Sequence, residues 1–172
     1  AMMMIHAASS AKKVFWADAD IVTFADVSVG FLDQILPDDK LCVHLGRDGC
    51  NIPYTETGFY GVNGAHKDAG TFLAMMRQII LEGLVFTLPG WHDCYVFDLA
   101  RRHLGREQFN DIGWGAGVRH SHVFVNSVLG AYMDHKKGRR KKLGRSLESD
   151  LEKPRPEQYW KAGAALTAVA KA

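Results

Sequence analysis

The chain is 172 residues long, 47% hydrophobic and 23% charged, with a formal net charge of +2. That is the balance of a globular domain able to bury a core without a metal or disulfide staple. It excludes collagen, coiled coil and disulfide miniprotein, and no apolar run approaches the ~20 residues of a membrane span.

Met2-Met3-Met4-Ile5-His6 follows Ala1 without a basic region and a long apolar stretch, so no secretory signal is expected. Val14–Phe24, with its aromatic and β-branched residues around Asp18 and Asp20, predicts a strand or strand-turn. Ala25–Leu36 predicts a helix stopped by Pro37, and Lys40–Leu45 a short apolar strand closed by Gly46-Arg47-Asp48-Gly49. Cys50–Tyr54 would be its return strand. Gly58, Gly61, Gly64 and Gly70 predict a shaped loop from 58 to 70. Phe72, Leu73, Met76, Ile79 and Ile80 recur at helical spacing, giving a helix over Thr71–Leu81 ended by Gly83. Leu84–Leu88 reads as a strand ended by Pro89-Gly90, and a helix follows with Asp93 as its N-cap and Gly105 past its end.

Gly113–Gly117 is a second glycine-rich turn. Val118–Asp134 is ambiguous between strand and helix, and length favours helix. Lys136–Arg145 carries seven positive charges and no acid, which leaves −5 for the rest of the chain. The reading is a globular core over 1–135, a basic mobile loop over 136–145, and C-terminal helices over 146–172 that pack on the core. The expected fold class is α+β, helix-rich with a small sheet, with all-α as the alternative.

Three cysteines, Cys42, Cys50 and Cys94, cannot all pair, and no finger-type spacing is present. Reduced thiols in a cytoplasmic setting are the expectation, with export lacking a classical signal peptide as the variant. Neither metal nor cofactor is expected. Asp93-Cys94 opens a predicted helix, where unpaired N–H groups and the helix dipole favour thiolate over thiol. Cys94 is therefore the candidate nucleophile, and the same N–H groups are placed to serve an oxyanion.

Asp93-Cys94, Val96-Phe97 and Leu104-Gly105 resemble the nucleophile helix of papain-like cysteine hydrolases, in particular the NlpC/P60 group. The likeness spans about fifteen residues. It implies a histidine base on a strand. His120 and His122 lie 26 and 28 residues after Cys94, which is close for the direct order. His44 lies 50 residues before it and suits the permuted order, so it is preferred. Asp48, Glu56 and Asn63 are candidates for the orienting group. The implied reaction is thiolate attack on an amide, isopeptide or thioester carbonyl of a peptide-like or acyl substrate.

Two other readings compete. Arg119-His120-Ser121-His122 and Asp134-His135 beside the basic segment suit phosphodiester cleavage by a nuclease or toxin domain. Alternatively Phe59, Tyr60, Trp91 and Trp114, with the cationic segment, form a non-catalytic partner-binding module. In both, Lys136, Lys137, Arg139, Arg140, Lys141, Lys142 and Arg145 would take a phosphate-rich partner. The GxxG runs lack a nucleotide-binding context.

Overall fold

A computed structural model of the chain describes residues 2–47, 52, 54–113 and 122–152. The fold is α+β, as expected. In chain order it runs α1 (Met2–Ala8), β1 (Lys13–Ala17), β2 (Ile21–Thr23), α2 (Val29–Ile35), β3 (Cys42–Leu45), β4 (Glu56–Asn63), α3 (Ala69–Leu81), α4 (Asp93–Arg102), β5 (Phe109–Asp111), α5 (Val123–Asn126), β6 (Met133–His135) and α6 (Arg140–Leu143). The main sheet has the order β1-β4-β3-β5, antiparallel except for the β3/β5 pair. A separate antiparallel ribbon pairs β2 with β6 and sets Ile21 opposite His135.

Both faces of the sheet are covered. On one, Tyr60 and Val62 of β4 pack with Phe72 and Met76 of α3 and Phe97 of α4. On the other, Val43, Leu45 and Phe59 pack with Ile35, Phe124 and Leu129. All eight residues of β4 are consequently buried, as expected of a strand with no solvent face. Among the described residues no helix is long and apolar enough to cross a membrane.

Several expected elements are corrected. The return strand of the hairpin is Glu56–Asn63, whereas Cys50, Asn51 and Pro53 lie outside the described residues. The first half of the expected glycine loop, residues 58–63, is therefore strand. Its glycines serve close packing, because a Cβ on Gly61 would stand 2.6 Å from the Phe15 ring and one on Gly58 would stand 2.4 Å from His135. Leu84–Thr87 forms a 3-10 turn instead of a strand, entered through Gly83 at φ 70°. α2 starts at Val29, where the Ser28 hydroxyl caps the Phe31 N–H, four residues later than expected. Val118–Asp134 is no continuous helix: α5 lasts four residues and the chain re-extends into β6. The glycine turn at 114–117, His120 and the C-terminal helix expected over 157–170 lie outside the described residues.

Candidate functional site

The Cys94 region forms part of what the sequence suggests. α4 begins at Asp93 itself, with His92 extended (φ −127°, ψ 161°) in the capping position and making no side-chain cap, so Asp93 is not the N-cap. Cys94 stays in the first turn, but its side chain is buried and its Sγ lies 3.0 Å from the Thr57 hydroxyl of β4. Burial pushes this thiol above its ordinary value. The Thr57 contact pulls it back, and the Asp93 carboxylate raises it further. Burial of the sulfur works against the thiolate that the position at a helix start would favour.

A nitrogen of His92, an oxygen of Asp93 and Cys94 Sγ all lie within 4.8 Å of one another, which makes His92 an imidazole beside the sulfur that sequence reasoning missed. His44 is elsewhere engaged. It is a buried β3 residue between the Phe97 and Phe109 rings, with Nε2 3.9 Å from Asp111. Of the candidate orienting groups, Asn63 donates to the Asp38 and Lys40 carbonyls, Glu56 belongs to the second cluster described next, and Asp48 lies outside the described residues. Cys42 is a free, buried thiol of β3 whose pKa burial drives far upward.

A second cluster forms where the β2/β6 ribbon meets β4. The Asp18 N–H donates to the Gly58 carbonyl, the Ile21 N–H closes a turn on the Asp18 carbonyl, and the Lys136 N–H donates to the Asp20 carbonyl. That turn presents Asp18 and Asp20 to the His135 ring. His135 Nε2 lies 2.9 Å from Asp20 Oδ1 and 3.7 Å from Asp18 Oδ2, while its Nδ1 faces Glu56 Oε1 at 3.8 Å. The ring is fully buried, yet neither nitrogen has a hydrogen bond. A buried imidazole aimed at two carboxylates without hydrogen-bonding them has the geometry of a ligand set.

Asp18, Asp20 and His135 place two carboxylate oxygens and a ring nitrogen within 4.8 Å of one another. Oxygen donors with one imidazole suit a hard or borderline divalent cation such as Mn²⁺ or Mg²⁺. The side chains of Asp18 and Asp20 are 37% and 24% exposed, so the carboxylates are reachable from solvent.

The surroundings of this cluster are electrostatically ordered. Burial works against ionised Glu56, but Arg47, Lys137 and His135 override it and hold its carboxyl below the ordinary range. Arg47 pairs with it directly and the Gly58 N–H donates to it at 3.1 Å. Asp20 is likewise disfavoured by burial and then held low by Lys141, 3.1 Å away, and by His135. Asp18 differs: burial raises it despite the Trp16 N–H bond and His135.

The basic segment is thus drawn against the cluster. Lys137 reaches Glu56 at 3.5 Å and Lys141 reaches Asp20, while Arg140 forks onto Asp150. Arg139, Lys142 and Arg145 are exposed and Lys136 is half-buried. His122 enters as a strut. It is buried, its Nε2 lies 2.9 Å from the His135 carbonyl, and burial pushes its pKa down. The two clusters adjoin, because Thr57, which holds Cys94, sits between Glu56 and Gly58, and Asp93 acts electrostatically on Asp18. Sequence reading missed this triad because 115 residues separate Asp20 from His135. The one available signal was the Asp18-Ala19-Asp20 spacing.

Comparisons with protein-family models, curated proteins and solved structures returned no match.

Proposed function

We propose that the protein is a divalent-metal-dependent transferase whose donor carries a diphosphate, with a nucleoside diphosphate sugar as the donor class that fits. The observation that carries this is the buried, hydrogen-bond-free His135 ring facing Asp18 and Asp20, with Lys137 and Lys141 at its border. When bound, the cation supplies positive charge against the oxygens of a leaving diphosphate.

The chain's own residues do the rest. Lys137 and Lys141 border the cluster with cations suited to phosphate oxygens. Glu56 neutralises Arg47 and Lys137 from within, and Trp16 fixes Asp18 by donating to its Oδ1. Asp93, exposed at the start of α4, is assigned the proton of the incoming hydroxyl. In the balanced step, the hydroxyl oxygen bonds to the sugar's anomeric carbon and the bond from that carbon to the diphosphate oxygen breaks. The diphosphate keeps the electron pair and the proton goes to the carboxylate. The Asp18, Asp20 and His135 donors beside Lys137 and Lys141 suit neutralisation of a diphosphate leaving group.

The test is release of nucleoside diphosphate from a panel of nucleotide sugars by the full chain, with Mn²⁺ and with a chelator. Metal-dependent release that disappears in Asp20→Asn and His135→Gln is expected. No release from any donor, or release indifferent to those substitutions, refutes the reading. Metal-dependent cleavage of RNA or DNA instead would move the assignment to a nuclease.

A second reading keeps the cysteine hydrolase. It is favoured by one observation, the His92 imidazole and Asp93 carboxylate beside Cys94 Sγ, and opposed by the upward push on that thiol. Loss of a peptide or thioester hydrolysis in Cys94→Ala, with metal chelation harmless, is the result that would favour it over the transferase.

A further inference from the structure

Four of the nine exposed large hydrophobic residues among those described fall within one stretch of eleven: Leu81, Leu84, Phe86 and Trp91. Trp91 and Phe86 are 73% and 64% exposed and meet edge to face with centroids 5.4 Å apart. Their loop leads directly into His92, Asp93 and Cys94. There the rings of His92, Tyr95 and Tyr54 form a triangle with centroid separations of 4.9 to 5.1 Å. Arg47 stacks over Tyr54 at 5.1 Å and pairs with Glu56, whose carboxylate faces His135. A line of contacts thus runs from the metal cluster to the aromatic triangle, and the chain continues it to an exposed aromatic pair. Gly90 makes the approach possible, because a Cβ there would stand 2.7 Å from Tyr95 and 2.8 Å from His92.

We propose that this aromatic strip, from Tyr54 to Trp91, binds a carbohydrate acceptor. The assignment rests on the transferase reading above and names the second substrate of the same site. Aromatic faces take the C–H face of a sugar ring, while the exposed His92 and Asp93 offer one donor-acceptor and one acceptor to its hydroxyls. Charge decides against the other occupants. The exposed Asp93 carboxylate at the end of the strip repels an anionic headgroup, and a wholly apolar partner would strip water from it without replacing its hydrogen bonds. A neutral polyol replaces those bonds.

The test uses the full chain on an array of neutral oligosaccharides without added metal, beside a separate Mn²⁺ titration. Wild type is expected to bind at least one glycan, and Trp91→Ala to bind it about tenfold more weakly with unchanged Mn²⁺ affinity. A bare array with wild type overturns the proposal, as does equal binding by Trp91→Ala. Trp91-dependent sedimentation with phosphatidylglycerol vesicles in place of glycan binding also overturns it and assigns the strip to a membrane. The two readings fail separately. Absent Mn²⁺ binding removes the metal-dependent donor site, whereas Trp91-dependent glycan capture would survive it. Because Trp91 is exposed, its substitution leaves the core packing intact.

Discussion

Gly58→Ala probes the proposed metal site from a residue that carries no functional group. The added Cβ would meet His135 Cε1 at 2.4 Å, Nδ1 at 2.7 Å and Glu56 Oε1 at 3.0 Å. The imidazole cannot retreat cheaply. It is fully buried, packs against the Phe124 ring at 5.4 Å, and is carried by a strand whose carbonyl contacts His122. Overpacking of this kind costs about 1–3 kcal/mol. For a chain of this length that lowers Tm by roughly 2–12 °C. Since the displaced group is a proposed ligand, Mn²⁺ affinity should fall by about tenfold or more. Gly70→Ala is the control. It lies in the first turn of α3 with nothing within 4 Å of its Cβ, so it should stabilise by up to about 1 kcal/mol and leave Mn²⁺ binding alone. Thermal unfolding with parallel Mn²⁺ titration reads both. A Gly58→Ala protein with wild-type Tm and wild-type Mn²⁺ affinity refutes the packing argument and the ligand geometry built on it.

Mn²⁺ at about one hundred times its Kd should add about 2.7 kcal/mol, or roughly 5–11 °C in Tm, and Asp18→Asn or His135→Gln should abolish that shift; equal shifts in the variants would remove the cluster as the site. Stability should decline in two steps on acidification, followed by denaturant unfolding. His122 is held below its ordinary 6.5, so the unfolded chain takes up a proton first and stability begins to fall as the pH drops below about 6.5. Glu56, Asp20 and Asp150 are held below the ordinary carboxylate range, so their contribution is present above it and lost as pH falls through their lowered values. A curve flat from pH 7 to 5 contradicts the His122 assignment. Alkylation of Cys94 by iodoacetamide at pH 7 should be slower than that of a free thiol, because burial raises its pKa; rapid modification there would restore the thiolate mechanism. Arg140→Ala should cost about 1–3 kcal/mol in urea unfolding, since it leaves the buried Asp150 carboxylate without its fork; a change below ~0.5 kcal/mol would show the pair to be solvent-like.

Local pattern was enough for the elements that bury one face or stop at a breaker. The helical spacing of Phe72, Leu73, Met76 and Ile79 reappears as the buried side of α3, and Asp93-Cys94 does open a helix. Pattern failed where tertiary contact replaced local propensity. β4 carries two glycines that would argue against a strand, and it is one because Phe15 and His135 occupy the space their side chains would fill. His122 was singled out as a chemical group and proved to contact the backbone of the histidine that faces the site. The basic segment's composition announced affinity for phosphate, but only folding placed Lys137 and Lys141 against buried carboxylates.

Composition, charge distribution and hydrophobic period determined by themselves that this chain is a mixed α+β domain with one cationic strip and a cysteine at a helix start. The tertiary structure alone decided that the sulfur is desolvated and that Asp18, Asp20 and His135 converge. The physical reason is that periodicity reports which way neighbouring side chains point along one element. A ligand set depends on strand pairing between residues more than a hundred positions apart, and no local preference encodes that pairing.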